Sequence, residues 1–96
     1  MKNSEIKNSE RISYTILGLD LEQTCFACPE QYDVWMGDEC VGYLRLRHGW
    51  FYAECNGITV YETNDCKGDG IFEYEEREFF LTEAVKAILK HLVSVK

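Results

Sequence analysis

The chain has 96 residues, enough for one hydrophobic core and too few for a core plus a deep catalytic cleft of the usual kind. A content of 46% hydrophobic and 14% aromatic residues, with one proline and seven glycines, excludes low-complexity disorder. Seventeen acidic against ten basic residues give a formal charge of -7, a field that repels nucleic-acid phosphates at long range and attracts basic surfaces.

Residues 1–10 are polar and patternless, which predicts a flexible tail before a single domain over 11–96. They hold no apolar stretch of the secretory kind. No apolar run anywhere approaches the roughly 20 residues of a spanning helix. The expectation is a soluble cytoplasmic protein with no membrane partner. Five cysteines, an odd number, then favour reduced thiols over a disulfide framework.

Ile12 to Leu17 alternates apolar with small or polar positions and predicts a first strand. Gly18 to Glu30 reads as a connection, with Pro29 marking its end because proline cannot donate to a ladder. Tyr32 to Met36 is the next strand, closed by a turn at Gly37-Asp38. A loop of two or four residues there places Val34 opposite Val41, whereas three residues place it opposite Gly42 and change the face that Trp35 joins.

Val41 to Thr63 then reads as three strands. Asn56-Gly57 between two β-rich runs is a strong hairpin signal, since a type I′ turn needs positive φ at both central residues, and His48-Gly49 is a weaker second turn. Two-residue loops set Cys55 opposite Ile58, Ala53 opposite Val60 and Phe51 opposite Leu46. One face becomes Leu44, Leu46, Phe51, Ala53, Cys55, Ile58 and Val60, which must meet a core. The other carries Tyr43, Arg45, Arg47, Trp50, Tyr52, Glu54, Thr59 and Tyr61.

Asn64 to Gly70 is a loop by composition. Beyond it Phe80, Leu81, Ala84, Val85, Ile88, Leu89 and Leu92 recur at three and four residues, the period of an amphipathic helix from roughly 73 to 93, with Thr82 as an alternative start. Its first turns are acidic and its last carry Lys86, Lys90 and His91, as the helix dipole favours. The predicted fold is α+β: an antiparallel β-meander of four to five strands with one carboxy-terminal helix packed on one face.

That arrangement leaves Tyr43, Arg45, Arg47, Trp50, Tyr52 and Tyr61 on an open face. Such residues anchor protein interfaces, stack single-stranded bases, or serve only the structure, by pairing across strands or by lying under residues 18–30, whose position the sequence leaves open. A second candidate surface is the segment Glu62 to Glu83, where eight acidic residues meet only Lys67 and Arg77. Its Glu73, Glu75, Glu76 and Glu78 could imitate phosphates in a basic channel.

Two motifs carry metal readings. Cys25-x-x-Cys28 has the spacing of a zinc knuckle, and a zinc-stabilised structural module is one alternative function, although no second close pair supplies the other two ligands. Asp65 to Glu76 resembles an EF-hand loop at Asp65, Asp69, Gly70, Phe72 and Glu76, with Lys67 where an oxygen ligand is needed and a strand where a helix should precede. The acidic strand-to-helix turn explains the same residues without calcium. No nucleophile elbow or phosphate-cradling loop is present, so no enzymatic activity is expected.

Pro29-Glu30-Gln31-Tyr32-Asp33-Val34, Gly42-Tyr43-Leu44-Arg45-Leu46-Arg47-His48-Gly49 and Lys67-Gly68-Asp69-Gly70-Ile71-Phe72 resemble short uncharacterised proteins encoded in prophages and mobile elements of anaerobic Firmicutes, over most of residues 12–90. The resemblance implies an origin and no defined activity. By analogy of class, it points to a small acidic phage-type inhibitor or modulator of a larger host protein that handles nucleic acid, of the anti-CRISPR kind. The sequence thus ranks a non-catalytic protein-binding module first and a single-stranded nucleic-acid-binding sheet second.

Overall fold

A computed structural model describes residues 13–25 and 29–94. Among these, the chain forms a six-stranded antiparallel sheet in sequential order, followed by a single long helix. The strands are β1 (Ser13–Ile16), β2 (Leu19–Cys25), β3 (Glu30–Met36), β4 (Glu39–Arg47), β5 (Trp50–Cys55) and β6 (Ile58–Thr63), and the helix is α1 (Tyr74–Ser94). The sequence predicts four to five strands; the additional one is β2. Leu19-Asp20-Leu21-Glu22-Gln23 alternates buried apolar with polar positions, and the turn before it places Leu17 at φ 52° and Gly18 at φ 89°. Positive φ at both positions is the I′ geometry that joins twisted strands, here without the usual Asn or Asp at its first position.

The Asn56-Gly57 and His48-Gly49 turns form as expected, with φ of 52° and 85°, and of 53° and 79°. Two bulges then alter the registers. Across β3 and β4 the Gly37-Asp38 turn has two residues and pairs Met36 with Glu39, yet Val34 faces Gly42 because Val41 is the extra residue. Across β5 and β6, Cys55 faces Ile58 but Ala53 faces Tyr61, not Val60, because the register shifts between Ala53 and Glu54. A bulge moves every later side chain by one position, so Tyr61 joins the core face.

Leu19, Leu21, Val34, Leu44, Leu46, Phe51, Ala53 and Cys55 line the inner face of the sheet, and Phe80, Leu81, Ala84, Val85 and Ile88 meet them from α1. Phe51 lies 5.0 Å from Phe72 and 6.3 Å from Phe80 between ring centroids, and Tyr61 lies 6.1 Å from Phe51. Gly42 admits the helix: a Cβ there would stand 2.8 Å from both Ile88 Cδ1 and the Glu54 carbonyl oxygen.

The segment between β6 and α1 crosses one end of the sheet. Gly49 donates its N–H to Asp69 O at 2.7 Å, and Glu30 donates its own to Gly70 O at 2.7 Å. The Glu30 carboxylate, buried in β3, then accepts the Phe72 N–H at 2.9 Å, the Tyr32 hydroxyl, and Arg77 Nε and Nη2 at 2.8 and 3.1 Å. This charged cluster fixes the start of α1 near β3, while the far end of the helix reaches β6 beside Ile58 and Val60.

Glu76 organises the same connection. It is the third residue of α1, and its carboxylate accepts N–H groups from Glu73 at 3.0 Å, Lys67 at 2.8 Å and Gly68 at 2.8 Å. A glutamate at this position reaching back to the N-cap amide is half of a capping box. Partial burial alone would raise the Glu76 pKa, but the three N–H donors and the Lys67 charge hold it below the ordinary carboxylate value. A depressed carboxylate contributes stability above its unfolded pKa, about 4.3, and loses it as pH falls through the lower folded value. Glu76→Gln should therefore cost about 1–2 kcal/mol at pH 7, with a flatter acid limb than the parent chain in urea melts taken between pH 7 and 2.5.

Candidate protein-binding face

Period-2 alternation sends every second side chain of the sheet away from α1. Tyr43, Arg45, Arg47, Trp50 and Tyr52 all lie there, brought together by the β4 and β5 register that pairs Tyr43 with Glu54, Arg45 with Tyr52 and Arg47 with Trp50. The rings form a continuous strip, with Trp50 and Tyr52 centroids 4.7 Å apart and Tyr43 and Tyr52 6.3 Å apart. Trp50 remains 38% exposed. Within the segment 18–30, whose position the sequence leaves open, Leu19–Cys25 forms β2 in the plane of the same sheet, and among the described residues no element crosses the strip.

Tyr61 is the exception among the residues predicted for this face. The β6 bulge turns it onto the helix side against Phe51, where burial first, and then the charge of Glu83, raise its phenol pKa. Sequence alternation alone could not reveal this.

The neighbouring strands add residues that were not expected. Asp20 of β2 pairs with Trp35 of β3, and Glu22 pairs with Asp33, which pairs in turn with Tyr43. Together with Glu54 and Glu62, the open face carries five carboxylates against Arg45 and Arg47 among the described residues. Glu22 and Asp33 stand directly opposite one another, a like-charge placement that destabilises a sheet. Burial, and then the charge of Glu22, raise the Asp33 pKa. Several partners hold the surface in shape: Tyr43 Oη donates to Gln31 Oε1 at 3.0 Å, Trp50 Nε1 to Glu62 Oε1 at 3.1 Å, and Thr15 Oγ1 to Asp20 Oδ1 at 2.8 Å. Burial also raises the Tyr43 pKa, helped by the neighbouring Tyr52. The alternation Leu-Asp-Leu-Glu in β2 was the available signal for the acidic half of this face.

No protein-family model, curated protein or solved structure matches the chain.

The remaining candidate residues fall elsewhere. Glu73, Glu75 and Glu78 are exposed around the start of α1. Glu76 is not available beside them as a surface ligand, because its two oxygens already serve the three backbone amides. The same engagement occupies the twelfth position of the loop that resembles an EF-hand. Among the described residues, no cluster of three or more His, Cys, Asp or Glu side chains is gathered as a metal site. Cys28 and the Cys25 side chain lie outside the described residues.

The described thiols are dispersed. Cys55 is fully buried, and burial raises its pKa; burial and then the charges of Glu76 and Asp65 push Cys66 up to about 12, while Cys40 is exposed. His48 is exposed in its turn, 3.8 Å from an oxygen of Asp69. No described helix is long and apolar enough to cross a membrane.

Proposed function

We propose that the chain is a non-catalytic protein-binding module whose open sheet face occupies a basic surface on a larger partner. The observation that carries this reading is the composition of that face: Tyr43, Trp50 and Tyr52 as anchors, interleaved with Asp20, Glu22, Asp33, Glu54 and Glu62. Aromatic anchors with a charged surround are what protein interfaces use. The resemblance to prophage proteins makes a host protein that handles nucleic acid the partner class, and an inhibitor or modulator the role.

The runner-up, a single-stranded nucleic-acid binder using Tyr43, Arg45, Arg47, Trp50 and Tyr52, has the same aromatic strip in its favour. Against it, the carboxylates outnumber the arginines and repel phosphates on the surface that would have to receive them.

The test is capture from a bacterial lysate at about 50 mM and about 300 mM salt, concentrations chosen because exposed charge contacts weaken across that range. Trp50→Ala with Tyr52→Ala, and separately Glu22→Lys with Asp33→Lys, are expected to abolish capture of a basic protein, while circular dichroism shows the variants folded. Recovery of nucleic acid by the parent chain, or undiminished capture by both variants, overturns the proposal.

A further inference from the structure

Away from the open face, the sheet edge at β1 borders a groove against α1. β1 is an edge of the sheet, only four residues long, and its partner on one side is β2. A two-residue hairpin turn closes on a hydrogen-bonded pair, here Ile16 with Leu19, and such pairs alternate along an antiparallel ladder. Ile16 and Tyr14 therefore direct their backbone groups to β2, and Ser13 and Thr15 direct their N–H and C=O groups outward. Among the described residues nothing pairs with that edge.

Beside the edge, on the helix side of the sheet, runs a groove of about 400 Å³ between β1 and the first half of α1. Tyr14, Ile16 and Leu81 give it apolar walls, and Glu75 and Glu78 stand on its rim. Arg77 also lines the groove, but its guanidinium is held by Glu30 and by Phe72 O, so it does not neutralise the two glutamates. Neither Glu75 nor Glu78 has a hydrogen-bond or ion-pair partner among the described residues.

We propose that this edge and groove bind an extended basic segment of a partner protein by strand addition. The segment adds beside β1 through the backbone groups of Ser13 and Thr15. Alternate side chains of an added strand then point to the helix side, where apolar ones enter the groove and lysine or arginine meets Glu75 and Glu78. The charge selects the occupant: an acidic segment would face two unneutralised carboxylates and the overall charge of -7. The site shares with the proposed function only the basic character of the partner, and it uses none of the aromatic or acidic side chains of the open face.

The test uses the full chain labelled with ¹⁵N and three synthetic octapeptides: Lys-Thr-Val-Thr twice over, which sets lysine and valine on one face of a strand, the same sequence with glutamate for lysine, and the lysine peptide with N-methyl groups on its threonines. The lysine peptide is expected to shift the amides of Ser13, Thr15 and residues 74–81. Glu75→Gln with Glu78→Gln should weaken that binding roughly tenfold, with an unchanged Tm because both side chains are exposed and unpaired. The N-methylated peptide should bind at least as much more weakly.

Equal binding of the glutamate peptide, shifts confined to Tyr43, Trp50 and Tyr52, or no binding would each overturn the inference. So would two results on the free chain: slow exchange of the Ser13 and Thr15 amides at low concentration, meaning the chain's own amino-terminal residues fill the edge, or concentration-dependent protection there, meaning a second copy does. None of these outcomes bears on the Trp50 and Tyr52 variants, so the two readings fail separately.

Discussion

Glu30→Ala is expected to remove about 3–5 kcal/mol of stability, because it leaves Arg77, the Phe72 N–H and the Tyr32 hydroxyl without their common acceptor. The Glu30 side chain is 2% exposed and that of Arg77 23%, so water compensates neither loss well. In a domain of this size, whose total stability is of order 5–15 kcal/mol, the change should lower Tm by roughly 15 °C or more. Arg77→Met tests the same cluster from the other side, since it leaves a buried carboxylate with only neutral donors.

Denaturant melts of Glu30→Ala, Arg77→Met and the double variant at pH 7 measure the coupling between the two side chains. The double variant should lose clearly less than the sum of the two singles, because one interaction is being removed twice. Additive losses would show that the ion pair is incidental and that each side chain matters only for its own packing.

Gly68→Ala has the second large expected effect. A Cβ at position 68 would lie 1.9 Å from the Ile71 carbonyl oxygen and 2.8 Å from Phe72 Cα, both backbone atoms that cannot turn aside as a side chain would. Relief requires the connection between β6 and α1 to open. Opening it pulls the Lys67 and Gly68 amides away from Glu76 and loosens the cap of the helix. A cost of about 2–4 kcal/mol is expected, combining overpacking with loss of the cap. Hydrogen exchange should show faster exchange at Lys67, Gly68 and Glu73 before any change in β2 or β3. A Tm within about 2 °C of the parent would contradict the tight closure of this loop.

Both predictions rest on contacts that the sequence did not display. Glu30 and Arg77 are 47 positions apart, and nothing in either neighbourhood marks them as partners. Glu30 reads as the polar end of a connection and Arg77 as one of two cations in an acidic run. Glu76 is similar: by composition it belongs with Glu73, Glu75 and Glu78 in an acidic stretch, and only the path of the loop aims it at backbone amides.

The candidate site divides in the same way. Tyr43, Arg45, Arg47, Trp50 and Tyr52 were legible as one face because alternation is a local property of an extended chain, and the Asn56-Gly57 and His48-Gly49 turns fix how β4, β5 and β6 meet. Tyr61 was misplaced because one bulged residue inverts the alternation beyond it. The acidic half of the face was missed because β2 carries Asp20 and Glu22, which are poor strand formers in isolation, and because its turn begins with Leu17 where a hairpin signal usually has Asn or Asp.

The sequence by itself determined what depends on short-range geometry: the α+β class, the three central strands, the helix of roughly 73 to 93 and its buried stripe from Phe80 to Ile88. Backbone sterics and side-chain period act within a few residues and can be read locally. The tertiary structure alone decided which registers carry bulges, that β2 completes the sheet and leaves the aromatic strip uncovered by any described element, and that Glu30 and Arg77 anchor α1 across the end of β3. Those outcomes follow from competition among distant groups for the same buried volume and the same hydrogen-bond partners, which is settled only when the sheet and the helix meet.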